Sequence, residues 1–177
     1  MTIPMRTLAV PILVVLLAAC ASPRIQTDHD SNADFRAYRT FSWISPHPLL
    51  VSSATMVDPR LEAYLTGSTR AVLRARGYEF AADPAAADFY VGFTVGTPLG
   101  NDAARYPAEV RDNLMWRPPS SSGDGSRWLA VNVYDAATRQ PVWRGTVRKD
   151  VTGRDQANAE AVLKGLVESV LAEFPPG

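Results

Sequence analysis

Residues 128–149 read WLAVNVYDAATRQPVWRGTVRK. Leu129, Val131 and Val133 alternate with Trp128, Ala130, Asn132 and Tyr134, the period of two that belongs to a strand with one apolar face. Residues 135–140 supply turn chemistry, and the chain returns over 142–149 with Trp143, Gly145 and Val147 on a shared face. The stretch predicts an antiparallel hairpin, which makes a sheet the frame of the domain.

Upstream, Phe89, Val91, Phe93 and Val95 alternate with Tyr90, Gly92 and Thr94 and predict a further strand. Phe35, Ala37, Phe41 and Trp43 alternate with Arg36, Tyr38, Thr40 and Ser42, broken only at Arg39, and predict the first strand. Ser45-Pro46-His47-Pro48 ends it, because two prolines remove donors. A helix is expected to start at Asp58-Pro59, bury Leu61, Leu65, Val72 and Ala75, and stop at Gly77. Asp155 is expected to cap a second helix that buries Ala159, Val162, Leu163, Leu166, Val170 and Phe174 before Pro175-Pro176. Two amphipathic helices and a sheet pack most simply in two layers. The expected fold is therefore α+β: a two-layer sandwich, with a mostly antiparallel sheet of about four strands and two helices on one face.

The amino-terminal stretch carries an address. Arg6, an apolar run over 8–19 and Leu17-Ala18-Ala19-Cys20 form a secretory signal, too short for a permanent membrane span. The run into Cys20 resembles the bacterial lipoprotein signal, which implies removal of residues 1–19 and lipidation of Cys20. Residue 21 is Ala and not Asp, which by the same resemblance implies the outer membrane, facing the periplasm. Residues 20–33 are polar and aperiodic and read as a tether, leaving 34–177 as one α+β domain with a long Pro-, Ser- and Gly-rich loop at 96–126.

Without the leader the chain keeps seventeen Lys and Arg against eighteen Asp and Glu, a net charge of −1. Nucleic acid is excluded as a partner on this balance, since phosphate binding runs on clustered positive charge. Cys20 is the only cysteine, so its lipidation removes thiolate catalysis, disulfides and thiolate metal sites together.

Several short phrases together resemble domain-of-unknown-function family 4136 of bacterial lipoproteins. They are Asp34-Phe35, Tyr38-Arg39-Thr40-Phe41-Ser42-Trp43, Arg76-Gly77-Tyr78, Ala87-Asp88-Phe89, Asp135, Val142-Trp143-Arg144-Gly145 and Phe174-Pro175-Pro176. This chain departs from the family pattern at Ser126-Arg127, where a Gly-Thr pair is usual, and at Arg139, where Gly is frequent. The resemblance supports the fold and the address and implies no active site.

The residues themselves contain no evident reaction centre. His29 and His47 lie in expected loops, and Asp28-His29-Asp30 reads as solvated tether, so no metal and no cofactor is expected. There is no Gly-x-Ser-x-Gly elbow and no phosphate-binding glycine loop. Asp150 and Asp155 read as strand end and helix cap. If the apolar set faces the helices, alternation puts an aromatic and basic set opposite. The candidate binding surface on that side comprises Tyr38, Tyr90, Trp128, Tyr134, Arg144 and Arg148, with cross-strand packing as the plainer use of the same side chains.

The functional expectation is a lipid-anchored, non-catalytic binding or accessory subunit. Its partners would be the membrane, through the lipid on Cys20, and an envelope protein or glycan. A periplasmic hydrolase of cell-wall or lipid material, with its site in the 96–126 loop, is the alternative.

Overall fold

The computed structural model describes residues 23–51, 60–96 and 127–175. In chain order these form β1 (Arg24–His29), β2 (Thr40–Trp43), β3 (Leu49–Val51), α1 (Leu61–Ala75), β4 (Glu79–Phe80), β5 (Phe89–Gly96), β6 (Arg127–Asp135), β7 (Pro141–Lys149), α2 (Gly153–Ala157) and α3 (Ala159–Leu171). The class is α+β, with the sheet in one layer and α1 and α3 packed together on one of its faces.

The sheet is larger and more mixed than the periodicity predicts. Its strand order is β1-β7-β6-β5-β2-β4, with β3 pairing the far half of β5. Phe41 sits opposite Phe89 while Leu49 sits opposite Phe93, so β2 and β3 lie along one edge of β5, interrupted by the prolines at 46 and 48. Both pair with β5 in parallel, and β4 pairs with β2 in parallel. The reason is α1: a helix between β2 and β5 carries the chain back to its starting end, and such a return makes the flanking strands parallel. The antiparallel run is β5, β6, β7 and β1, of which the sequence predicts the first three.

Residues 24–29 correct the tether reading. They form β1, paired with β7 from Arg24 opposite Arg148 to His29 opposite Trp143. Only Ile25 is withdrawn from solvent, so an edge strand wet on both sides leaves no alternation to read. The first strand is also shorter than expected. Phe35–Ala37 is a 3-10 turn whose Arg36 N–H bonds to the Asp34 carboxylate at 3.2 Å, and the strand proper begins at Thr40.

The first helix stops where the sequence predicts, and the carboxy-terminal one starts differently. Gly77 has φ +89, the left-handed turn that ends α1, and its N–H bonds to the Arg74 carbonyl at 3.0 Å. The stripe that α1 buries is Leu65, Thr69 and Leu73, with a threonine in its middle. The expected cap at Asp58-Pro59 and, beyond Gly96, the expected 96–126 loop lie outside the described residues. The carboxy-terminal helix breaks at Asn158. Thr152 and Asp155 form a capping box that starts α2, so Asp155 is the third residue of the helix and Thr152 its cap.

The core between sheet and helices gathers Phe41, Phe89, Val91, Phe93, Leu129, Val131, Val133, Trp143 and Val147 against Leu65, Leu73, Val167, Val170 and Leu171. Phe174, just past α3, is its aromatic hub: its ring lies 5.2 Å from Trp143, 5.6 Å from Phe89, 5.8 Å from Tyr78 and 5.9 Å from Phe35. Gly145 lets α3 approach, because a Cβ there would lie 2.5 Å from both Trp143 Cη2 and Val170 Cγ1.

Candidate binding face of the sheet

The face turned away from α1 and α3 is built in rows set by strand register. Ser42, Tyr90 and Tyr134 make one row; Gly92, Asn132, Arg144 and Asp28 the next; Thr94, Ala130, Thr146 and Gln26 the third; Gly96, Trp128, Arg148 and Arg24 the last. Five of the six residues predicted from alternation can be placed on this face. Tyr38 cannot.

Tyr38 follows the 3-10 turn, which breaks the period of two and sends its ring to the helix side. There it packs 5.3 Å from Phe89, and its hydroxyl donates to the Asp135 carboxylate at 3.0 Å. Burial pushes the Tyr38 phenol well above its ordinary value, and the Asp135 carboxylate adds to the shift. The hydroxyl therefore stays protonated and donates. The one signal in the sequence was Arg39, the residue that spoils the alternation.

The remaining aromatics are on the predicted face but are not open to solvent. Tyr90 and Trp128 are each 4% exposed and Tyr134 is 0% exposed. Tyr90 donates its hydroxyl to the Pro84 carbonyl at 3.0 Å and carries the Arg139 guanidinium 4.8 Å from its ring centre. Asn132 is buried and donates from Nδ2 to Thr94 Oγ1 at 3.1 Å. An open aromatic platform is thus corrected to a packed one, in which Tyr90, Tyr134 and Ile44 form a small core of their own.

Arg144 is the chemical centre of the face. It stands opposite Asn132 on one side and Asp28 on the other, half-buried. Burial lowers its guanidinium to about 10, opposed by Tyr134 and Asp28, so it remains cationic at neutral pH. Arg148 lies half-buried in the last row beside Trp128.

A concavity of about 300 Å³ lies between α1 and β4 and is lined by Phe41, Arg70, Arg74, Tyr78, Glu79 and Phe80. The Arg70 guanidinium sits 4.0 Å over the Phe80 ring. The signal for it in the sequence is the four-residue spacing of Arg70 and Arg74 on one helix.

The histidines stay apart. His29 is exposed on β1, and His47 Nδ1 lies 3.3 Å from Glu62 Oε1 at the surface. Among the described residues no three His, Cys, Asp or Glu side chains gather as a metal site, and no helix is long and apolar enough to cross a membrane. Cys20 lies outside the described residues.

The phrases that carry the family resemblance meet in space. The Asp88 carboxylate accepts the N–H groups of Arg39 and Thr40, both at 2.8 Å. Asp135 accepts from Tyr38 and, at 2.7 Å, from the N–H of Thr138 in the β6–β7 turn. Arg76 donates to the carbonyls of Ala172 and Phe174. Arg139, where the family often has Gly, has φ 60, in the left-handed region that glycine adopts without strain.

These features define a two-layer α+β domain whose recurrent polar residues tie strand starts and chain end to one aromatic hub. The chain belongs to the family described as Domain of unknown function (DUF4136), whose model matches residues 25–176. Solved structures share the fold. A DUF4136 family protein from Bacteroides thetaiotaomicron is 14% identical with a TM-score of 0.62, covering 86% of this chain and 96% of that one. PelC from Paraburkholderia phytofirmans, solved as a dodecamer, is 15% identical with a TM-score of 0.50, covering 85% and 95%. A PDZ domain protein from Parabacteroides distasonis is 10% identical with a TM-score of 0.52, covering 86% of this chain and 35% of that one. Comparison with curated proteins finds no match.

Proposed function

We propose that this chain is a lipid-anchored cell-envelope protein, held by Cys20 on the periplasmic side of the outer membrane and acting as a non-catalytic binding or accessory subunit. The observation that carries the reading is the use made of the polar residues in the family phrases. Asp88, Asp135 and Arg76 each bind backbone N–H groups or carbonyls that fix the fold, and a group so engaged is a poor acid, base or nucleophile. The half-buried cation of Arg144, framed by Asn132 and Asp28, gives the helix-free face the chemistry to recognise an acidic or hydroxyl-rich partner. The membrane reading rests on the Leu17-Ala18-Ala19-Cys20 signal.

Two measurements test the reading. Cys20→Ser is expected to abolish incorporation of labelled palmitate and to release the protein from the membrane fraction; a mature protein that stays bound refutes the anchor. Capture from detergent-solubilised membranes should recover a defined envelope protein or glycan with wild type and lose it with Gln26→Glu, which sets a carboxylate one row from Arg144, where it repels an acidic partner and competes for the cation.

A further inference from the structure

The structure starts close to the residue proposed to carry lipid. β1 begins at Arg24, four residues after Cys20, and four residues span at most about 14 Å when fully extended. The end of the sheet where β1 begins is therefore held within that distance of any anchor at Cys20. Register defines which end this is: Arg24 lies opposite Arg148, Trp128 opposite Arg148, and Arg127 opposite Lys149.

That end is basic. Arg24 and Arg127 are exposed, Arg148 and Lys149 are half-buried beside them, and Arg154 is exposed on the first turn of α2. Among the described residues the acids there are Asp150, Asp155 and, in the first turn of α3, Glu160, and Asp155 pairs with Lys149 at 3.3 Å. The turns at the opposite end, over 30–39, 81–88 and 135–140, have the reverse balance. They carry Asp30, Asp34, Asp83, Asp88 and Asp135 against Arg36, Arg39 and Arg139. Among the described residues charge is thus polarised along the strands, with the positive pole at the end nearest Cys20.

We infer that the domain docks on its own membrane by this end, Arg24 and Arg127 foremost, against the phosphates of anionic phospholipid headgroups. The inference rests on the lipid anchor proposed above, and it adds an orientation. The strand ends at Arg24, Arg127 and Lys149 face the bilayer, and the Asp-rich turns point into the periplasm. Lipid holds the chain at the surface, and the basic end selects which way the domain stands. A basic side chain at an anionic surface changes partition by about fivefold, so losing both exposed arginines changes the balance of docked and undocked orientations by about 25-fold. Salt weakens the docking because these charges are exposed.

The test uses full-length lipidated protein in vesicles of phosphatidylethanolamine with a minority of phosphatidylglycerol. Once Cys20 is a thioether, single substitutions Gln156→Cys, beside the basic end, and Ala137→Cys, in the β6–β7 turn, each give one thiol for a fluorophore. With a quencher on the lipid headgroup, quenching at 156 is expected to exceed that at 137 several-fold. It should fall when phosphatidylcholine replaces phosphatidylglycerol, when salt is raised, or when Arg24→Glu is combined with Arg127→Glu. Flotation with the vesicles at high salt reads the anchor separately. Flotation with equal quenching at both ends, or with quenching at 156 indifferent to lipid charge, overturns the orientation and leaves the anchor standing. Loss of flotation in wild type overturns the anchor and the orientation together.

Discussion

Asp88 and Thr40 hold each other from both sides. The Thr40 N–H donates to Asp88 Oδ2 at 2.8 Å, and the Asp88 N–H donates to the Thr40 carbonyl at 3.0 Å. The same carboxylate oxygen accepts from the Arg39 N–H at 2.8 Å and from the Thr40 hydroxyl at 3.0 Å. The contact fastens the start of β2 to the start of β5, the parallel pairing that periodicity alone does not predict. Hydrogen bonds to a charged group contribute about 1.5–3 kcal/mol, so Asp88→Ala is expected to lower unfolding free energy by about 2–4 kcal/mol. Urea unfolding of the two proteins measures it, and an unchanged midpoint would show the clamp to be incidental.

The clamp also has a pH signature. For Asp88, burial alone would raise the carboxyl, and the hydrogen bonds from Thr40 and Arg39 outweigh it and hold the group below the usual carboxylate range. Asp135 behaves alike: burial raises it, and the bonds from Thr138 and Tyr38 prevail. A carboxylate depressed in the folded state leaves the unfolded chain binding more protons between the two values. Its stabilisation is therefore complete above about pH 4 and is lost as pH falls through the folded values. Thermal scans should give a level midpoint from neutrality down to about pH 4 and a decline below it. Asp88→Asn should lower the plateau and make the acid decline shallower.

Gly145 and Val170 report the contact of sheet and helix. A Cβ on residue 145 would meet Val170 Cγ1 and Trp143 Cη2, both at 2.5 Å, and neither a strand-borne indole nor a helix-borne methyl gives way freely. Overpacking of this kind costs about 1–3 kcal/mol, which is the loss expected for Gly145→Ala. Adding Val170→Ala removes one of the two clashing groups. The double variant should then lose less than the sum of the singles, and strict additivity would place the strain elsewhere.

How much of this was readable before the structure depends on what each segment buries. β5, β6 and β7 were legible because Val91, Val131 and Val147 alternate with different chemistry on the second face. β1 was not, because five of its six residues are exposed and its register is imposed by β7. Strand direction was not, because alternation is the same in either sense and only the return through α1 makes β2 and β5 parallel. The binding face was half legible. Alternation placed Tyr90, Trp128, Tyr134, Arg144 and Arg148 together, but polar atoms concealed that the aromatic rings are as buried as the apolar core.

Thr69 shows the same blind spot within a helix. It occupies the middle of the buried stripe of α1 at 0% exposure, and its hydroxyl has no hydrogen-bond partner among the described residues. A buried hydroxyl left unsatisfied carries its desolvation cost, about 1–3 kcal/mol, without return. Thr69→Val keeps the shape and removes the cost, so the variant is expected to be more stable by about 1 kcal/mol. A destabilised variant would mean that the hydroxyl bonds to buried water.

Trp128 and Gln26 separate folding from recognition on the helix-free face. Trp128 is 4% exposed, so truncation removes a buried indole, and Trp128→Ala is expected to cost about 3–5 kcal/mol. Loss of a partner in that variant would say nothing about contact, since the face itself would be disturbed. Gln26 lies two rows from the Tyr90–Tyr134 pair, on the exposed edge strand opposite Thr146, and surface changes of this kind stay within about 0.5 kcal/mol. Gln26→Glu should therefore keep the wild-type unfolding midpoint while opposing any partner that needs the Arg144 cation. A docking face predicts lost capture at unchanged stability for Gln26→Glu. A face that serves only as packing predicts the opposite pattern, with capture unaffected by Gln26→Glu and reduced by Trp128→Ala only in proportion to the protein unfolded.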